Sequence, residues 1–215
     1  VPWAASVGEV SADDASSFAD VSRSLLRRTL LEAARDLAAD RPWKAVTMAA
    51  VAARAGVSRQ TVYNEFGSRP NLTQALVVHE LEEFLAAVEG AIRERADDPA
   101  AAVAAAVDVF LRAASEDPLV AAVAGEDGRD ELLPLVTSRG EPLLRLGRER
   151  LATIIGETWP TVAREESEFL AETIMRLGLS YVVLPIPPDA TRVTAEGVAR
   201  LLRPYLRGLL EVTDV

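Results

Sequence analysis

Residues 47–72 read TMAAVAARAGVSRQTVYNEFGSRPNL, and this stretch decides the fold. Ala49, Ala50, Ala52, Ala53 and Ala55 surround Val51, a set of strong helix formers with little bulk. Thr47 stands where an N-cap belongs, its hydroxyl able to accept from a free backbone N–H. Gly56 then supplies the left-handed conformation of a sharp turn. Ser58 is placed to cap a second helix, SRQTVYNEF, in which Val62 and Phe66 are four apart and share one inward face. Its outer face keeps Arg59, Gln60, Thr61, Tyr63 and Asn64. These are donors and acceptors of the kind that read base edges and grip phosphates. The stretch therefore reads as a helix-turn-helix whose second helix is the reader.

Two neighbours of the motif strengthen this reading against a merely solvated helix pair. Ser68-Arg69-Pro70 opens another helix at once, placing a cation and free N–H groups where a phosphate could dock. Upstream, Leu26, Leu30, Ala33, Ala34 and Leu37 recur at helical spacing and predict a covering helix.

On these residues the chain resembles TetR-family transcriptional regulators. The matching positions are the first-helix stripe, Val46-Thr47-Met48, Ala55-Gly56-Val57-Ser58, Thr61-Val62-Tyr63, Phe66, Ser68-Arg69 and Leu72. The match covers the first third of the chain; the remainder is alike only in being helical. Departures are Pro42-Trp43 in place of a Gly-aromatic pair, Asn64 where His or an aromatic is frequent, Arg69 for Lys, and Pro70 for an acid. The resemblance implies an all-α fold, with an N-terminal three-helix domain carrying the helix-turn-helix and a larger helical bundle for ligand binding and dimerisation. It implies phosphate contacts from Thr47, Tyr63 and Arg69, with Ser58 capping the reader, and base contacts from Arg59, Gln60, Thr61 and Asn64. It also implies a homodimer built through the last two long helices, bound to double-stranded DNA at an inverted-repeat operator.

Charge supports the same division. The chain carries a formal charge of −10, yet residues 22–80 hold nine Lys or Arg against five Asp or Glu, a local +4 facing −14 elsewhere. A basic segment on an acidic body favours docking to DNA through one face only. Residues 1–21 lack Lys and Arg and carry four acids, so they read as a mobile acidic arm and not a secretory signal. The expected organisation is the arm at 1–21, a DNA-binding domain at 22–71 and a helical body at 72–215. With no cysteine and no run of ~18 apolar residues, the expected setting is cytoplasmic, without disulfides or a membrane span.

Beyond Leu72 the pattern is helical throughout. Gln74–Arg95, Ala100–Ser115, Glu141–Glu157, Glu165–Leu184 and Val193–Val212 are the long segments. Leu119–Ala124 reads as an apolar turn and Gly125–Gly128 as a loop. Asp108 and Arg112, four apart on an apolar helix, read as an exposed ion pair. Phe84, Val88, Phe110, Leu132, Leu135, Leu151, Met175 and Tyr181 are large apolar candidates for a cavity that takes a small lipophilic effector. The segments GRDELLPLVTSRGEPLL (128–144) and RLGLSYVVLP (176–185) are similar to those of actinobacterial family members linked to alkane or fatty-acid metabolism.

Enzyme chemistry finds little to stand on. The one histidine, His79, has no His partner nearby, and no phosphate loop or nucleophile elbow is present. No catalytic residue, metal ligand or cofactor is expected. The competing class, a helical small-molecule or lipid-binding protein or enzyme without DNA function, leaves the exposed row Arg59, Gln60, Thr61 and Tyr63 without a purpose.

Overall fold

The structure, a computed structural model, describes residues 12–125 and 128–211. Among the described residues it is all helical. The elements are α1 (Ala12–Asp40), a 3₁₀ turn (Trp43–Ala45), α2 (Met48–Ala55), α3 (Arg59–Phe66) and α4 (Arg69–Arg93). The body follows with α5 (Pro99–Glu116), α6 (Pro118–Ala124), α7 (Leu133–Val136), α8 (Glu141–Thr158), α9 (Arg164–Val183), a second 3₁₀ turn (Pro188–Ala190) and α10 (Thr191–Glu211).

Local chemistry sets most of these boundaries. Thr47, Ser58 and Ser68 accept side-chain hydrogen bonds from Ala50 N, Thr61 N and Asn71 N, so α2, α3 and α4 each begin on a hydroxyl cap. Gly56 at φ 70° ends α2 in the left-handed region and turns the chain into α3. Asp98 and Asp117 cap α5 and α6, each followed by a proline in the first turn, where its missing N–H is harmless. Leu119–Ala124, expected as a turn, therefore lies within a helix: Asp117 and Pro118 supply a complete start signal.

Residues 12–21, expected within the arm, form the first turns of α1; the arm's residues 1–11 lie outside the described residues, as do two of the loop at 125–128. Leu30, Ala33, Ala34 and Leu37 are buried as the stripe predicts, against Val51, Val62 and Phe66. This core does not stop at residue 71. It runs through Leu72, Leu76 and Val77 of α4 into Leu119, Val123, Leu132, Val136 and Leu143 of α6 to α8. A second core joins α4, α5, α8, α9 and α10 through Leu85, Leu111, Ile154, Leu170 and Leu206. The reader unit thus shares close-packed interior with the body, and a shift in one is felt by the other. Asp108 and Arg112 pair at 2.8 Å on α5 as expected.

Candidate nucleic-acid interface and effector cavity

The reader helix α3 is only eight residues long and keeps its position through its inner side. Val62 and Phe66 are buried, and Glu65 on the flank is clasped by Arg27 at 2.9 Å and Arg23 at 3.3 Å from α1. The Arg27 guanidinium also lies 4.9 Å from the centre of the Phe66 ring. On the outer side the predicted residues are ordered by one another. Arg59 donates to Tyr63 Oη at 3.1 Å, Gln60 Nε2 donates to Asn64 Oδ1 at 2.8 Å, and the Ser58 and Thr61 hydroxyls are 2.9 Å apart. Arg59, Gln60, Asn64, Thr47 and Ser58 are exposed, and Thr61 and Tyr63 are half-buried. Such i, i+3 and i, i+4 pairs hold polar groups in place while leaving capacity for an incoming partner.

Arg69, expected at a phosphate, has partners within the protein. It donates from Nε to Val46 O at 2.8 Å and from Nη2 to Trp43 O at 2.9 Å. Its Nη1 sits 2.5 Å from both carboxylate oxygens of Glu131, which also accepts from Trp43 Nε1 at 3.0 Å. Nε and Nη2 thus brace the reader unit internally, and Nη1 joins it to the segment before α7. Most other cations of the basic segment are likewise paired: Arg28 with Glu32, Arg35 with Glu80 and Asp117, Arg54 with Asp36 and Asp40. Among the described residues, Arg41, Lys44 and Arg59 of that segment carry no ion pair. Arg41 and Lys44 lie just before the helix-turn-helix, and motif reading singled out neither.

An apolar cavity of about 350 Å³ opens in the body beside α4, within the size range of small-molecule sites. Phe84 and Phe110 line it, in edge-to-face contact with ring centres 4.8 Å apart. The other walls are Val77 and Leu81 of α4, Leu119, Val120 and Val123 of α6, and Val136, Leu143, Leu179 and Val182. The six remaining cavity candidates are packing residues. Val88, Leu151 and Met175 are buried in the body core, and Tyr181 packs against it. Leu132 is buried in the core shared with the reader, and Leu135 packs against that one. Met175 fills the space over Gly147, where an added Cβ would lie 2.3 Å from Met175 Cε.

The cavity has one polar end, which sequence reading also missed because its members are far apart in the chain. Arg35 of α1 reaches Glu80 of α4 at 3.3 Å and Asp117, the α6 cap, at 3.0 Å. Burial pushes the Glu80 carboxyl up to about 7, against the opposing pull of Arg35. A larger groove of about 660 Å³ between α1 and α4 holds His79 among Arg27, Arg28, Gln74, Glu82 and Glu83. Its open, charged walls make it a solvated cleft and a poor seat for an apolar molecule.

An exposed reading helix, ordered by its own side-chain pairs, on a helical body with an apolar cavity defines a helix-turn-helix DNA-binding regulator. Residues 30–76 match the family described as bacterial regulatory proteins, tetR family, and residues 98–204 match the bacterial tetracyclin repressor C-terminal domain. The chain is 35% identical over 188 residues to the HTH-type transcriptional regulator AlkX of Mycobacterium tuberculosis, covering 87% of this chain and 88% of that one. It is 34% identical to the crystal structure of the TetR family repressor AlkX from Dietzia sp. strain DQ12-45-1b, implicated in biodegradation of n-alkanes. That superposition has a TM-score of 0.76 and covers 85% of this chain and 98% of the other. RolR in complex with resorcinol shares the fold, at 20% identity and a TM-score of 0.57 over 85% and 89% of the two chains. The chain belongs to the TetR family of transcriptional regulators, a family of DNA-binding proteins and not of enzymes. Among the described residues no helix is long and apolar enough to cross a membrane.

Proposed function

We propose that the chain is a homodimeric cytoplasmic repressor, released from an inverted-repeat operator when a small lipophilic effector enters the cavity beside α4. One observation carries this reading: α4 is at once a wall of the cavity, through Val77, Leu81 and Phe84, and a pillar of the reader core, through Leu72 and Leu76. An effector that fits better when α4 is displaced selects a reader position that no longer matches the operator, a population shift driven by unequal affinity. Arg59, Gln60, Thr61 and Asn64 read bases, while Thr47, Tyr63, Arg41 and Lys44 hold phosphates. Dimerisation uses α9 and α10, which leave Phe169, Leu177, Val193 and Leu201 exposed, more apolar surface than a lone subunit tolerates well. The relation to the Dietzia repressor, implicated in n-alkane biodegradation, supports a hydrocarbon-like effector.

The test is a gel shift on the DNA upstream of the chain's own gene. Arg59→Ala and Gln60→Ala should each weaken operator binding by roughly 1–3 kcal/mol and relax preference at one base position. Straight-chain lipophilic compounds should release the wild type, and sugars and nucleotides should not. Equal loss on operator and scrambled DNA for both variants contradicts the reader assignment.

A further inference from the structure

The cavity beside α4 has a direction. On α4 its lining residues run from Ala87 and Glu83, which are exposed, past Phe84 and Leu81, which are half-buried, to Val77, which is buried. The slot therefore deepens along α4 towards the reader unit. At the deep end its apolar wall is Val77, Leu119, Val123, Val136 and Leu143, each at most 8% exposed. All five belong to the core that the body shares with the reader, where Leu72, Leu76 and Leu132 are at most 1% exposed. There is no slack at the corner between α6 and α7 either, since a Cβ on Gly128 would lie 2.9 Å from Leu132 Cδ1. Close-packed interior of this kind does not yield to an extra methylene without strain. One end of the slot is open to water, and the other is a fixed floor.

We infer that this floor is a ruler: Val136 and Leu143 set how long a straight apolar chain the cavity accommodates. The inference rests on the lipophilic-effector reading above and adds the residues that select chain length. From Ala87 to Val77 the slot follows ten residues of α4, about 15 Å. An extended chain advances about 1.2 Å per bond, so about ten to twelve carbons fill that length. Each methylene taken out of water within the slot should tighten binding about fourfold. A carbon beyond Ala87 stays in water and adds nothing. Affinity therefore climbs with chain length and then levels, and the levelling point reports the distance from floor to mouth. Val136 and Leu143 come from α7 and α8, so the floor can be moved while every lining residue of α4 and the Arg35–Glu80–Asp117 cluster is kept.

The experiment uses the full chain with the straight-chain primary alcohols from hexanol to hexadecanol, whose common head group cancels along the series, and reads dissociation constants by calorimetry. Wild type should gain about fourfold per carbon up to about ten to twelve carbons and nothing beyond. Leu143→Ala lowers the floor and should move the levelling point about two carbons longer, with short chains bound as in wild type. Val136→Phe raises the floor and should move it about two carbons shorter. Where either variant lacks a cooperative melt, Leu143→Val or Val136→Leu replaces it, with a shift of about one carbon in the same direction. A levelling point common to wild type and variants, or an affinity that climbs without levelling, overturns the ruler while leaving a lipophilic effector in place. Failure of every alcohol to bind overturns both.

Discussion

Replacing Arg69 by Ala is the sharpest test of how the reader unit is held. Its side chain is 26% exposed, and it makes bonds to Val46 O, Trp43 O and Glu131 while lying 5.5 Å from the Trp43 ring centre. Hydrogen bonds from a charged donor contribute about 1.5–3 kcal/mol each at best, and a cation–π contact about 0.5–1 kcal/mol. The Glu131 carboxylate is 39% exposed, so that ion pair is discounted heavily. The two carbonyl contacts dominate, and a net loss of about 3 kcal/mol follows. For a chain of this size that is a fall in Tm of about 6–12 °C. The salt dependence of operator binding, measured well below the melting range, should be unchanged, because no phosphate contact is lost. Arg41→Ala and Lys44→Ala should do the reverse, each lowering the slope of log K against log salt by about 0.9 with little effect on Tm. An Arg69→Ala protein that melts like wild type and loses about 0.9 from the slope would restore the phosphate role and refute the structural one.

Three further outcomes are expected. Because the folded Glu80 value is raised from 4.5 to about 7, its stabilising contribution is complete below about 4.5 and lost as the pH rises through about 7. Glu80→Gln, fixed in the neutral form, should therefore gain on wild type between pH 5 and 8 by about 1–2 kcal/mol after discounting for solvent access; parallel melting curves across that range refute this. Leu201 is 78% exposed on α10, so Leu201→Glu should leave the subunit folded but lower the mass seen by light scattering from twice 23.1 kDa to 23.1 kDa. A dimer unaffected by the substitution excludes that face. Gly178→Ala gains up to about 1 kcal/mol in helix propensity, but its Cβ would lie 2.3 Å from Phe110 Cζ. The displaced ring loses its contact with Phe84, so a net destabilisation of about 1–2 kcal/mol and weaker effector binding should follow.

What could be read from sequence was governed by range. The reader was legible because its determinants are local: Thr47, Ser58 and Ser68 each cap a helix three residues away, and Gly56 sits at the turn itself. The partners of Arg69 were not legible for the same reason. Next to Ser68 at a helix start it looks like a phosphate ligand, and the residue that claims it, Glu131, is 62 positions away. The cavity was legible only at Phe84 and Phe110. A large apolar residue on a helix carries the same pattern whether its neighbours fill the space or leave it open. Met175 is buried because Gly147, on another helix, gives it room. The Arg35–Glu80–Asp117 cluster joins three elements, and no spacing rule announces it.

The Trp43–Arg69–Glu131 knot bears on how such regulators can be recombined. Trp43 and Arg69 travel with the reader unit, whereas Glu131 belongs to the body, before α7. A chimera that grafts this reader onto a foreign sensor body inherits an arginine whose carboxylate partner stayed behind. The foreign body must offer an acid at the same place, or the grafted reader loses part of its anchorage before any effector is added. Exchange of parts between relatives is therefore restricted by this contact as well as by the apolar core that the reader shares with the body. A graft intended to move operator choice from one sensor to another should carry Glu131 along with the reader.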